Sequence, residues 1–159
     1  MKYILSVGII AGFGYIGLCV RSYLNKREEF YKALISFIDQ FIINVNFIQI
    51  NFTEFLASEQ IKNEELFKLL NHFRNATLNE DYSVRYKSLF LNDDEVTEVL
   101  ELLNSIGSTD ADNQIALLKG YKLRIEQTLL KCTESVNKYS SLSVKMSLIL
   151  GCLVVLIFI

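Results

Sequence analysis

The fold of this chain is decided by residues 112–159, DNQIALLKGYKLRIEQTLLKCTESVNKYSSLSVKMSLILGCLVVLIFI. This stretch contains no proline, and its only glycines are Gly120 and Gly151, so nothing in it forces a helix to stop. Apolar residues recur at spacings of three and four, which places them on one helical face. With one interruption at Lys122, this seam consists of Ile115, Leu118, Ile125, Leu129, Cys132, Val136 and Tyr139. The pattern predicts one helix of roughly 70 Å, at about 1.5 Å per residue.

The amino-terminal end is apolar enough to cross a membrane. Tyr3–Val20 carries no charge and is just long enough for a bilayer core of about 30 Å. Lys2 is the only basic residue before it and no A-x-A-like site follows, so we predict an uncleaved anchor and not a signal peptide. Gly8 and Gly12 form a G-x-x-x-G pair, which predicts a packing face for another span; the alternative is ordinary glycine of a membrane helix.

The carboxyl-terminal end has the same character. Met146–Ile159 contains no charge, and the stretch reaches a spanning length when counted from Leu142, with Lys145 snorkelling to the interface. We therefore expect three parts: a transmembrane helix at 3–20, a helical domain at 21–141 and a transmembrane helix at 142–159.

The basic residues predict how the chain is oriented. They follow the first span and precede the second: Arg21, Lys26, Arg27 and Lys32, then Lys131, Lys138 and Lys145. Since basic residues concentrate on the cytoplasmic side of membranes, the middle of the chain is expected in the cytoplasm and both termini outside.

The middle of the chain predicts an all-α domain. Apolar residues at spacings of three and four indicate a core-facing helix over Glu28–Ile50 that continues from the first span. Further along we expect a break near Asn51, a short helix from Thr53, a helix capped by Asn63, a loop over Asn75–Asp81 and an amphipathic helix over Tyr82–Phe90.

A helical hairpin is expected next. The run Asn92–Glu95 lacks the glycine and the terminal glutamate of a calcium loop, and it directly precedes an apolar periodicity. An N-cap with an acidic first turn explains it. Gly107 is suited to end this helix in a left-handed conformation, and the long last helix follows. We assign Asp93, Gly107 and Gln114 to the caps and turn of this hairpin.

Composition argues against catalytic and nucleic-acid functions. The net charge is −2, and no basic block is interleaved with aromatic residues, so a nucleic-acid partner is not expected. The single histidine, His72, and the three cysteines form no metal-spaced cluster, and no phosphate-binding glycine loop is present. We expect no enzyme activity, no metal, no cofactor and no small-molecule substrate.

The hairpin and the tail resemble one known family. The segments Leu91–Val96 and Leu103–Asp110, followed by Gln114, are similar to stage III sporulation protein AB, in which an acid-started helix ends in a Leu-Gly pair. Here Ile106 and Gly107 stand for that pair. The tail is similar as well, with Lys138 and Tyr139, then Leu142, then Gly151. The first half departs from the family, because a Thr-Pro-Leu turn and a tryptophan usual there are absent.

The resemblance implies a role in a machine of endospore-forming bacteria. The family belongs to the channel complex between mother cell and forespore, in the outer forespore membrane of the mother cell. Its soluble domain resembles the cytoplasmic domain of the platform protein of type II secretion machines. The implied partners are a secretion-type ATPase, stage III sporulation protein AA, and the membrane subunits of the channel. The implied role is that of a non-catalytic adaptor.

Charged residues on the hairpin are the candidate contacts for the ATPase: Asp110, Lys119, Arg124 and Glu126. The alternative for these residues is an ordinary solvated face. Two rival functions also stay open. One is a small integral-membrane structural or assembly protein of unrelated machinery without an ATPase partner, and the other is a membrane enzyme.

Overall fold

A computed structural model describes residues 2–48, 52–58, 61–78, 88, 91–106 and 110–158. Within these ranges the regular structure is helical and contains no strand, so the all-α fold class is confirmed. The elements are α1 (Lys2–Ile43), a π-helical turn (Asn44–Ile48), α2 (Phe52–Ser58), α3 (Glu64–Leu78), α4 (Asp93–Ser105) and α5 (Ala111–Phe158).

The long last helix forms as predicted. α5 runs unbroken over 48 residues. The centre of its apolar seam is buried at Leu118, Ile125 and Cys132. The seam prediction is wrong at its far end, because Tyr139 keeps 45% of its surface exposed. A phenol there keeps its hydroxyl available to a polar environment, which a fully buried seam position would not allow.

The chain divides into two compact units. The first unit comprises residues 1–28 and 130–159, and the second comprises Glu29–Leu129. α1 and α5 therefore each contribute residues to both units. The three predicted parts, 3–20, 21–141 and 142–159, concern membrane boundaries and stay predictions.

Two helices, α1 and α5, are long and apolar enough to cross a membrane. Their most apolar windows reach mean hydropathies of 1.5 and 2.1. Only 6% of the first window and 11% of the second is buried within the structure. A core helix of a water-soluble protein would bury most of such a window. These apolar surfaces must therefore be shielded from water by something other than the rest of the described chain.

The second unit has a hydrophobic core. Four helices supply fully buried side chains to it: Phe30, Leu34 and Ile38 from α1, Leu66, Leu69 and Leu70 from α3, Leu102 and Leu103 from α4, and Leu118 from α5. The core-facing helix predicted over Glu28–Ile50 is thus confirmed as far as Ile43, where α1 ends; a π-helical turn follows to Ile48, and the last two predicted residues lie outside the described ranges. Burying each such side chain contributes roughly 1.5–3 kcal/mol before the entropy of ordering is subtracted.

An aromatic cluster joins α1, α2 and α3 in this unit. The ring centroid of Phe41 lies 5.2 Å from that of Phe55 and 5.3 Å from that of Phe52. Phe37 is 5.7 Å from Phe55, and Phe52 is 6.3 Å from Phe73. These spacings are typical of favourable edge and tilted ring contacts. The short α2 is held in place by them, since seven residues alone are too few for a stable helix.

The prediction of a loop over Asn75–Asp81 is wrong for its first four residues, because α3 continues through Leu78. Asparagine and threonine lower helix propensity by less than about 1 kcal/mol each, and no proline or glycine interrupts the segment. The rest of that loop lies outside the described residues, as do Gly107 and, apart from Ser88, the predicted helix Tyr82–Phe90. Ser88 donates a hydrogen bond of 2.7 Å to Glu65 of α3.

Candidate functional site

Two glycines of the first unit, Gly17 and Gly151, lie where the facing helix comes very close. A Cβ atom built on Gly17 of α1 would lie 2.9 Å from the Cα of Val144 and would collide with the hydroxyl of Ser147. One on Gly151 of α5 would lie 3.1 Å from the Cβ of Phe13. Helices that lack side chains at such points can bring their backbones together, which is the main source of helix association in lipid.

Small side chains on α5 complete this contact. Ser147 is buried, with 8% of its surface exposed, and its hydroxyl donates to the carbonyl of Val144 at 3.0 Å. Ser143 donates to the carbonyl of Ser140 at 3.1 Å and lies 3.5 Å from the carbonyl oxygen of Gly17. Both hydroxyls are therefore satisfied within the helix pair, as an apolar surrounding requires.

The order of these contacts fixes the register of the two helices in this unit. Phe13 lies against Gly151, Gly14 against Leu148, and Gly17 against Val144. Positions rise along α1 as they fall along α5, so the helices are antiparallel. Continuing the register by one turn brings Val20 to the level of about residue 142.

The predicted packing pair, Gly8 and Gly12, takes no part in this contact. A Cβ atom at either position meets nothing within 4 Å. Both glycines are exposed. Their role in packing against a further span stays a prediction.

The α1–α5 contact itself is not among the predictions from the sequence. A usable signal was present, because Ser143, Ser147 and Gly151 repeat a small residue every fourth position.

In the second unit an ion pair interrupts the apolar seam of α5. The ammonium group of Lys122 lies 2.6 Å and 2.8 Å from the two carboxylate oxygens of Asp39 on α1, and 3.8 Å from Glu126. The hydrogen bond to Asp39 is the main cause that raises the pKa of Lys122. A charged residue at a seam position is thus explained by a partner on the facing helix.

The four predicted partner contacts do not share one face. Lys119 and Arg124 are exposed, and Glu126 is half-buried. Lys119 and Glu126 are seven residues apart and so lie on nearly the same side of α5, whereas Arg124 lies about 140° away from Lys119 around the axis. The guanidinium of Arg124 stands 5.6 Å from the ring centroid of Tyr121.

Asp110, the fourth of these residues, is exposed and sits just before α5. Its carboxylate accepts a hydrogen bond of 2.6 Å from the side chain of Asn113, and its carbonyl accepts one of 2.9 Å from the amide of Gln114. These are the contacts of a helix start. The role of all four residues in binding a partner stays a prediction.

The residues assigned to the hairpin lie at helix ends where they are described. Asp93 is exposed in the first turn of α4, and Gln114 is buried in the first turn of α5, with 7% of its surface exposed. Asn92 and Glu95 form a reciprocal capping box, with hydrogen bonds of 2.8 Å and 3.0 Å. The N-cap interpretation of this acidic run is confirmed. Gly107 lies outside the described residues.

Within the described ranges, no group of three histidine, cysteine or acidic residues is placed to hold a metal ion. The expectations of no metal, no cofactor and no enzyme activity stay predictions.

Comparison with known proteins gives one match. Neither the curated proteins nor the solved structures contain a significant match. The model of the family described as stage III sporulation protein AB matches residues 2–159. This match extends over the divergent first half as well as the hairpin and tail, so the chain belongs to the stage III sporulation protein AB family.

Proposed function

We propose that this sporulation protein is a non-catalytic membrane adaptor that docks a cytoplasmic secretion-type ATPase to the membrane subunits of a sporulation channel complex. The observation that carries the proposal is the division of the chain into an exposed apolar helix pair and a separately packed helical unit. Such a chain has one part for the bilayer and one part for a soluble partner.

The membrane half of the proposal rests on the first unit. Its apolar windows are almost wholly unburied, and the Ser143 and Ser147 hydroxyls beside the glycine contact donate hydrogen bonds to carbonyls of α5. The register of the helix pair supports this half, because the inner ends of the proposed spans 3–20 and 142–159 come to nearly the same level, as two spans of one bilayer require. We place the middle domain, 21–141, in the cytoplasm of the mother cell, and the spans in the outer forespore membrane.

The docking half rests on the second unit. Its helices build a core of their own, so α5 can present Lys119 and Arg124 to a partner without loss of packing. The proposed partner is the secretion-type ATPase, stage III sporulation protein AA. We propose that the unit acts like the cytoplasmic domain of a type II secretion platform, and that neither nucleic acid nor a small-molecule substrate is bound.

Co-flotation of the ATPase with proteoliposomes that carry the full chain tests this proposal. We expect wild type to bring the purified ATPase to the top of the gradient. A variant with Asp110→Lys, Lys119→Glu, Arg124→Glu and Glu126→Lys should leave most of it behind, since reversed charges repel a complementary surface. This variant keeps the net charge unchanged.

The matched control exchanges an exposed ion pair elsewhere. Glu64 and Lys68 are joined at 2.6 Å in the first turns of α3, and the variant Glu64→Lys/Lys68→Glu also conserves net charge. It should bind the ATPase as wild type does. If wild-type vesicles with a folded, inserted chain bind no ATPase, the adaptor role is wrong, and a structural membrane protein without an ATPase partner is the better account.

A further inference from the structure

Three lysines form a line on the outer side of α5 in the first unit. Lys131, Lys138 and Lys145 are all exposed and follow one another at intervals of seven residues, or about 10 Å. Lys145 lies two residues before Ser147, a rotation of about 200° around the helix. The line therefore faces away from the contact with α1 that Ser147 makes.

Two contacts between α1 and α5 enclose the middle lysine of this line, Lys138. At one end Gly17 lies against Val144, and at the other the hydroxyl of Thr133 donates to Glu28 at 3.1 Å. Between these contacts lie residues 18–27 and 134–143, all of them described. Their basic residues are Arg21, Lys26, Arg27 and Lys138, and their only acidic residue is Glu134. This band of the helix pair is therefore strongly positive.

Two tyrosines occupy the same band. Tyr23 and Tyr139 keep 41% and 45% of their surfaces exposed. The ammonium group of Lys138 lies 5.2 Å from the ring centroid of Tyr139. Exposed tyrosines beside lysine and arginine are typical of the depth at which a membrane protein meets lipid headgroups, because the ring lies among acyl chains while the hydroxyl stays hydrated.

We propose that this basic band, through Arg21, Tyr23, Lys138 and Tyr139, binds the phosphate groups of anionic phospholipids together with Lys145, which lies just beyond the edge of the band. The inference rests on the proposed membrane insertion. Ammonium and guanidinium groups form charge-assisted hydrogen bonds with phosphate oxygens. Lysines next to a span are attracted further by the negative surface potential of an anionic leaflet. Lys138 in the band and Lys145 just beyond its edge are the main contacts, since they lie one above the other and bracket Tyr139 and Leu142.

Spin-labelled lipids measure this preference directly. The full chain is reconstituted in phosphatidylcholine bilayers with a trace of spin-labelled phosphatidylglycerol or spin-labelled phosphatidylcholine, and the motionally restricted fraction of each label is compared. Wild type should prefer phosphatidylglycerol, and Lys138→Gln/Lys145→Gln should reduce that preference about five-fold or more. Lys138→Arg/Lys145→Arg should keep it, and so should Lys62→Gln/Lys68→Gln, which removes two charges from the second unit.

The outcomes separate this inference from the proposed function. A chain that alkaline carbonate extracts from the bilayer is not inserted, and both would be wrong. If the inserted chain restricts both labels equally, the lipid site alone is wrong. The same follows if the preference for phosphatidylglycerol survives Lys138→Gln/Lys145→Gln. Displacement of the phosphatidylglycerol label by millimolar inorganic phosphate would also overturn it, because the band would then be a general phosphate site.

Discussion

Gly17 of α1 has no room for a side chain, because the backbone of Val144 on α5 would lie 2.9 Å from its Cβ atom. A backbone atom cannot swing aside as the end of a side chain can. The two helices that we propose to span the membrane are therefore held at a distance that only glycine permits at this position.

A leucine at position 17 should separate the helix pair. We expect Gly17→Leu to destabilise the detergent-solubilised chain by about 1–3 kcal/mol, as overpacking does elsewhere. Thermal unfolding followed by circular dichroism is the measurement. Gly12→Leu is the control, since a Cβ atom there meets nothing within 4 Å. Equal melting temperatures for the two variants would contradict the glycine contact.

The ion pair between Lys122 and Asp39 should contribute little to stability, because both side chains are partly exposed, at 26% and 48%. A double-mutant cycle with Lys122→Ala and Asp39→Ala should give a coupling free energy of at most about 1 kcal/mol. Denaturant unfolding of the four proteins measures it. A coupling of several kcal/mol would mean that the pair is buried in solution.

The same pair should make stability depend on pH at the alkaline end. The pKa of Lys122 is raised, chiefly by its hydrogen bond to Asp39, so its contribution is complete below the unfolded pKa of about 10.4. It should then be lost as the pH rises through the folded pKa. The wild type should therefore lose more stability above this pH than Lys122→Met does, in matched thermal melts. If the melting temperatures of the two proteins fall in parallel as the pH rises, the hydrogen bond between Lys122 and Asp39 does not form in solution.

The N-cap of α4 should contribute measurably to the free energy of unfolding, although Asn92 is exposed. Asn92→Ala removes the acceptor for the amide of Glu95 and should cost about 1 kcal/mol in the free energy of unfolding. Asn104→Ala changes an exposed asparagine inside the same helix and should lie within about 0.5 kcal/mol of wild type. Urea titration measures the free energy of unfolding of both variants and of wild type. Identical midpoints would contradict the capping box.

The proposed topology makes a prediction about labelling. In a chain with Cys19, Cys132 and Cys152 replaced, Lys62→Cys should resist a membrane-impermeant maleimide added to intact protoplasts. It should react once the protoplasts are opened, because Lys62 is exposed and lies in the proposed cytoplasmic domain. Reaction in intact protoplasts would place this domain on the other side of the membrane.

Structural features that depend on neighbouring or regularly spaced residues can be predicted from the sequence. α5, the capping box at Asn92 and the core face of α1 follow from spacing and from residue type, so they could be foreseen. The contact of Gly17 with Val144 joins positions far apart in the chain, and spacing within one helix cannot say which of several glycines meets a distant partner. For the same reason the partner of Lys122 became visible only in three dimensions.

A photo-crosslinking amino acid at position 119, in cells that are building the channel, tests directly whether this chain docks the ATPase. Lys119 is exposed on α5, and we expect a crosslink to the secretion-type ATPase. A probe at position 68 of α3, which is also exposed, should give none. An inserted, folded chain that forms the ATPase adduct from neither position 119 nor position 110, 124 or 126 would contradict docking through these residues.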